Sequence, residues 1–319
     1  MKDLLPSTFQ HNKMALSDHI PVLYQDIILA LNPKSRGRYV DGTLGAGGHA
    51  AGILDASAPD GEILGLDVDP QALKIARNSL SKFNGRAIIV QASYSTVAEQ
   101  LAKVGWTRID GMLLDLGASS MQFDTPERGF SFQSEGKLDM RFDPTNAMTA
   151  SHLVNDLPEQ ELADLIFRFG EEPRSRQIAK VIVASRPISS TVQLAGIITS
   201  IIPPREKIHP ATRTFMALRI AVNDELSSIE KVLPQAIQAL NIGGRLAIIS
   251  FHSLEDRLVK SYFRQESKDC LCPPRQPICS CGHKASIREV NRRPLIPSDL
   301  ETSKNPRARS AKLRIVEKI

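Results

Sequence analysis

Tyr39-Val40-Asp41-Gly42-Thr43-Leu44-Gly45-Ala46-Gly47-Gly48-His49 sets four glycines within seven positions, directly after an apolar run that ends in an acid. A strand closing at Asp41 and running into such a loop brings backbone close to a ligand, because glycine has no Cβ to hold it off. The helix that follows offers unpaired N–H groups to the same ligand. The next apolar run, 62–67, closes at Asp67, an acid placed to hydrogen-bond ribose hydroxyls. Strand, glycines, helix and acid-bearing strand in that order read as a nucleotide-cofactor cradle. A ligand-free strand-to-helix turn has no need of so many glycines.

Outward from the cradle, strands at 38–41, 62–67, 87–91 and 110–115 alternate with helical periodicity, as in Leu73, Ile75, Ala76 and Leu80. That alternation predicts a doubly wound α/β sheet. From Gln122 to Asp143 the period stops, and Phe, Gly, Asp and Pro punctuate an ordered loop. Three amphipathic helices follow, carried by Leu162/Leu165/Ile166/Phe169, by Ile178/Val181/Ile182/Ser185 and by Leu194/Ile197/Ile198/Ile201, and closed by Pro203-Pro204. The α/β pattern resumes with a helix over 212–240, a strand at 243–251, a helix at 254–263 and a final strand at 311–318. The run 287–291 makes seven strands. The expected division is a core of 1–128 and 207–319 with an inserted helical domain at 129–206.

A chain of 319 residues suits about two domains. Its net charge of +5 and pI near 9.0 are compatible with an anionic partner. Between Lys284 and Arg314 nine Lys or Arg face three acids, so the tail is locally basic. No apolar run matches a membrane span, and Met1-Lys2-Asp3-Leu4-Leu5-Pro6 lacks a signal's apolar stretch, which predicts a cytoplasmic protein with no membrane partner. All four cysteines lie in Cys270-Leu271-Cys272 and Cys279-Ser280-Cys281. A reducing compartment argues against disulfides. Cys-x-Cys is tighter than the usual zinc spacing, so reduced thiols and no metal are expected, with zinc as the competing reading.

The glycine loop alone fits a dinucleotide or S-adenosylmethionine. Gly45-x-Gly47-x-x-Ala50 follows the dehydrogenase fingerprint, while Asp41-Gly42-Thr43-x-Gly45-x-Gly47-Gly48 follows the acidic-start methyltransferase loop more closely, with Asp41 near the ligand's ammonium. The fourth strand ends at Asp115 in Leu113-Leu114-Asp115-Leu116-Gly117, at the switch point where ligands of open α/β sheets bind.

Seven blocks in order resemble one family: the glycine loop, Leu113–Ser120, Glu127-Arg128-Gly129-Phe130-Ser131-Phe132, Leu138-Asp139-Met140-Arg141-Phe142-Asp143-Pro144, His209-Pro210-Ala211-Thr212-Arg213-Thr214-Phe215, Ser250-Phe251-His252-Ser253-Leu254-Glu255-Asp256-Arg257 and Asn305-Pro306-Arg307-Ala308-Arg309-Ser310. It is the bacterial 16S ribosomal RNA (cytosine(1402)-N(4))-methyltransferase family, matched from about His19 to the C-terminus. The resemblance implies a Rossmann-like class I S-adenosylmethionine-dependent methyltransferase core, an α/β fold with a seven-stranded mostly parallel sheet and an inserted small helical domain. It also implies 16S ribosomal RNA in the small subunit as partner, and cofactor contacts at Gly47, Gly48, His49, Asp67, Tyr94, Asp115 and Gln122. His49 would act through its backbone N–H, and Tyr94 would pack on adenine where the family commonly has Phe. Asp115 is the candidate catalytic residue, although the chain reads Asp115-Leu116-Gly117 where many amino-methyltransferases have Asp-Pro-Pro-Tyr. Arg213, Arg219, Arg307 and Arg309 are candidates for phosphate contact, and His252 opens toward the same crevice. A nicotinamide-dependent oxidoreductase and a non-catalytic RNA-binding assembly factor are the rival readings.

Overall fold

The computed structural model describes residues 21–202, 208–273, 276 and 278–319; the N-terminal stretch and the Pro203-Pro204 stop lie outside them. The first half runs α1 (Tyr24–Leu31), β1 (Arg38–Asp41), α2 (Gly48–Ala56), β2 (Glu62–Asp67), α3 (Pro70–Leu80), β3 (Ala87–Gln91), α4 (Val97–Lys103), β4 (Ile109–Asp115) and α5 (Ser120–Asp124). A helical stretch follows as α6 (Ala150–Asp156), α7 (Glu159–Gly170), α8 (Ser175–Ala184), α9 (Thr191–Ile201) and α10 (Thr212–Asn223). The chain then returns through α11 (Glu225–Ala239), β5 (Leu240–Ser250), α12 (Ser253–Glu266), β6 (Ile287–Glu289), α13 (Asp299–Lys304) and β7 (Lys312–Lys318).

The seven strands form one sheet in the order β3-β2-β1-β4-β5-β7-β6. All neighbours through β5 are parallel, and β7 runs antiparallel between β5 and β6. The order reverses between β1 and β4, so the crevice beyond their carboxyl ends is the topological switch point. The period of two along each strand divides the core. Tyr39, Ile63, Leu113 and Ile249 face α1, α2 and α3, whereas Val40, Leu64, Leu114 and Ile248 face α4, α11 and α12.

A third hydrophobic cluster is separate from both faces and draws on residues from Phe130 to Val222. Leu162 and Ile166 of α7, Ile178 and Ile182 of α8, Leu194 and Ile198 of α9, and Phe215 and Leu218 of α10 meet there. The helix expected over 212–240 is in fact two. Asp224 adopts left-handed backbone (φ 48°) and ends α10 before α11 begins. A single straight helix is unable to bury Phe215, Leu218 and Val222 in the third cluster and Ile229, Val232 and Leu233 against the sheet. The loop expected from Gln122 to Asp143 also gives up its start to α5 and a 3-10 turn at Pro126–Arg128. Among the described residues, no helix is long and apolar enough to cross a membrane.

Candidate cofactor and substrate site

β1, β2 and β4 each end in a carboxylate, and the three acids Asp41, Asp67 and Asp115 share one rim. The glycine loop is stitched to both neighbouring strands: Gly42 N–H donates to Leu113 O at 2.9 Å, and Leu44 N–H to Leu66 O at 2.9 Å. Thr43 locks the loop laterally. Its hydroxyl accepts the Asp115 N–H at 2.6 Å, while its own N–H donates to Asp41 Oδ1 at 3.1 Å. Gly45 and Gly47 have φ of 53° and 85°, a region that disfavours side chains. Gly48 opens α2, where a Cβ would come within 2.6 Å of Pro21 Cγ. No side chain caps this helix, so its first-turn N–H groups are left without a side-chain acceptor.

Asp67 accepts the Gly45 N–H at 2.8 Å on one oxygen and the Asp69 N–H at 2.9 Å on the other. It therefore braces the loop as well as presenting an acid, and burial raises its pKa against those bonds. Asp41 is fully enclosed. Burial lifts it to about 6, with Asp115 and Asp67 adding to the rise while His49 and the Thr43 N–H oppose it.

His49, placed in the first turn of α2, also brings its ring to the rim. Its ring is buried against Tyr24, with centroids 6.2 Å apart, and its Nε2 lies 3.6 Å from Asp115 Oδ2. Neither ring nitrogen has a hydrogen-bond partner, nor has Asp115 Oδ1. A buried polar atom left unpaired costs about 1–3 kcal/mol, and such atoms gathered at a switch point mark where a ligand completes the bonding.

Tyr94 begins the turn after β3 and packs under Gly42 and against the second hydrophobic cluster. Burial first, then the negative charges of Glu225, Glu255 and Asp224, push its phenol far above the ordinary range. Gln122 is buried on α5 with both ends of its amide engaged: Oε1 accepts the Ser119 N–H at 3.0 Å, and Nε2 donates to Asp69 Oδ2 at 3.0 Å. Asp69 in turn meets Arg128 Nη1 at 2.6 Å, and Arg128 Nη2 donates to Arg141 O and Phe142 O. This chain of bonds ties the cofactor rim to the helical part. Asp69-Pro70 is legible as a helix start, but nothing in sequence pairs Asp69 with Arg128.

Arg219, expected to be open to phosphate, is instead buried. It makes two bonds to Glu225, at 2.7 and 2.9 Å. His252 caps α12 with its Nε2 3.0 Å from Glu255 Oε1. Glu225, His252 and Glu255 converge closely enough to suggest a cation site, but the Arg219 guanidinium already occupies Glu225 and opposes a second positive charge. Arg213 contacts Glu171 O and Glu172, Arg307 is held by Asp124, and Arg309 is exposed.

The model of the MraW methylase family matches residues 16–319. The chain belongs to that family. It is 49% identical over 302 residues to the ribosomal RNA small subunit methyltransferase H of Dehalococcoides mccartyi, covering 94% of this chain and 86% of the relative. It is 50% identical over 307 residues to the protein of the same name from Citrifermentans bemidjiense, covering 94% and 98%. The crystal structure of an rRNA methylase from Streptococcus thermophilus overlaps 93% of each chain at a TM-score of 0.41 and 11% identity. For a member of this family the rim suits S-adenosylmethionine, which carries an ammonium and a sulfonium. A dinucleotide would set its anionic pyrophosphate beside three carboxylates.

Proposed function

We propose that the protein transfers a methyl group from S-adenosylmethionine to the exocyclic N4 of cytidine 1402 in 16S ribosomal RNA. The observation that carries this reading, in a methylase of this family, is the unpaired Asp115 Oδ1 and His49 ring beside three strand-end carboxylates. Bound at the rim, S-adenosylmethionine would supply an electrophilic methyl on sulfur. Gly47, Gly48 and His49 would line its amino-acid end, Asp67 would accept from the ribose hydroxyls, and Tyr94 would wall the adenine. Gln122 would close the site from α5.

The cytosine amine is a weak nucleophile, because its lone pair is delocalised into the ring. The protein's task is therefore alignment, which supplies a large share of such accelerations. Asp115 Oδ1, buried and unpaired at the end of β4, would accept an amino hydrogen and turn the nitrogen toward the methyl group. No covalent enzyme intermediate is needed, since the nitrogen itself attacks. The segment 129–206, with α10 packed into the same core, would form the face that receives RNA, and the work would take place in the cytoplasm. Mass spectrometry of 16S RNA from cells lacking the gene should show one cytidine without its N4-methyl. Complementation by the natural chain, but not by Asp115→Asn, should restore it. Full methylation without the gene would refute the assignment.

A further inference from the structure

We propose that Cys270, Cys272, Cys279 and Cys281 form a tetrathiolate site for one zinc ion that clasps the loop between α12 and β6. The four sulfurs all lie within 4.8 Å of one another. Sγ separations are 3.4 Å for Cys270–Cys279, 3.6 Å for Cys279–Cys281, 3.8 Å for Cys270–Cys281 and 4.0 Å for Cys272–Cys279. A tetrahedron with zinc–sulfur bonds of about 2.3 Å has edges of about 3.8 Å, and these separations scatter around that length. They are far from the roughly 2.05 Å of a disulfide bond. The spacing objection also falls away, because the single residue between Cys279 and Cys281 lets them span one such edge.

Backbone groups are turned toward the sulfurs as well. Leu271 N–H points at Cys281 Sγ, Cys272 N–H at Cys270 Sγ and Ser280 N–H at Cys272 Sγ, each at 3.4 Å. Such donors stabilise thiolates and orient them for a metal. His283 takes no part, since its Nε2 meets Gln265 O at 3.2 Å.

The loop has reason to need a clasp. Between Phe263 and Ile287 no described residue is buried, and Leu271 and Ile278 are 40% and 79% exposed. Its neck is pinned where Ser286 N–H donates to Glu266 O and Ser286 Oγ to Glu266 Oε2, both at 2.9 Å, leaving the tip with no core of its own. Metal ligation supplies the cross-links that apolar burial does not. Four protein ligands close the coordination sphere, so the ion is structural.

The full-length protein, purified untagged without chelator, should carry about one zinc per chain by plasma mass spectrometry. Cys272→Ser/Cys279→Ser should lower that at least tenfold while S-adenosylmethionine affinity stays within twofold. Because that variant risks misfolding, the natural chain stripped of metal provides an independent reading. Titrated with Co²⁺, it should develop the visible bands of tetrahedral thiolate coordination, saturating at one equivalent and bleached by zinc. Trypsin cleavage after Lys268 and Lys284 should rise several-fold on stripping and fall again when zinc is restored. Zinc below a tenth of an equivalent with no cobalt bands, zinc undiminished in the double variant, or iron in its place would overturn the proposal.

Discussion

The rim at the ends of β1, β2 and β4 and the corner formed by α10, α11 and α12 both gather buried charge, but they finish it differently. At the corner, Arg219 and Glu225 share two bonds, and Glu255 accepts the Phe251 N–H at 2.8 Å and the His252 N–H at 3.2 Å. Burial works against ionising Glu255, yet His252 and Arg219 outweigh it and hold the carboxyl below its ordinary range. At the rim, Asp115 Oδ1 and both His49 nitrogens have nothing to bond. The corner stands directly behind the rim, where a Cβ on Gly117 would lie 3.7 Å from Arg219 Nη2. The corner bonds its carboxylates and leaves only His252 Nε2 with an ion-pair contact, whereas the rim leaves a carboxylate oxygen and both nitrogens of one imidazole without a hydrogen bond.

The sharpest way to break this contrast is Arg219→Met. Removing one partner from a buried pair strands the other, so stability should fall by about 3–5 kcal/mol in chemical denaturation. Adding Glu225→Leu should restore most of it. If Arg219→Met kept full stability and lost only cofactor binding, the corner would belong to the site. Asp115→Asn tests the other region. It should weaken S-adenosylmethionine binding by about 1–3 kcal/mol in calorimetry while the melting temperature holds or rises, because the carboxylate replaced has an Oδ1 with no hydrogen-bond partner to lose. A large drop in melting temperature would make Asp115 architectural.

pH separates the regions further. Asp41 in the folded chain sits near 6, against 3.8 for the ordinary side chain. Between those values the folded form keeps a proton that the unfolded chain has released, so Asp41 costs stability as pH rises through that window. A cation bound beside it reverses the preference and expels the proton. S-adenosylmethionine affinity should therefore climb by up to about tenfold per pH unit toward 6 and level off above it. Asp41→Asn should flatten the climb. A flat profile in the natural chain would mean that the ligand's charge does not reach Asp41.

Much of this was legible before folding, and what was hidden has a common cause. The seven strands, the glycine loop and the acids at their ends follow from local rules of period two, missing Cβ atoms and strand-end position. Hidden were the break at Asp224, the Asp69–Arg128 link and the burial of Arg219, each set by how segments pack together and not by a local pattern. A helical period continues across Asp224 whether or not two different cores claim its halves. An arginine in a helix likewise reads as solvated until a glutamate six residues on folds back against it. His49 shows the same limit, since its ring is informative only because Asp115, three strands later in chain order, stops beside it.

The smallest expected effect lies in the basic tail, where two arginines of one motif belong to opposite classes. Arg307 is bound to Asp124 on α5 and lies 5.6 Å from the centre of the Phe123 ring, while Arg309 is exposed among the same turn's residues. A half-exposed ion pair is worth about 0–1 kcal/mol, so Arg307→Ala should lower the melting temperature slightly and leave the salt dependence of RNA binding unchanged. Its effect on cofactor affinity should be small and indirect, through α5 and Gln122. Arg309→Ala should do the reverse: stability holds, and the slope of log affinity against log salt shrinks by about one phosphate contact. RNA affinity at four salt concentrations, read beside thermal melts of each variant, tests both at once. An unchanged slope for Arg309→Ala would remove it from the RNA face, and a reduced slope for Arg307→Ala would mean that its bond to Asp124 opens when RNA arrives.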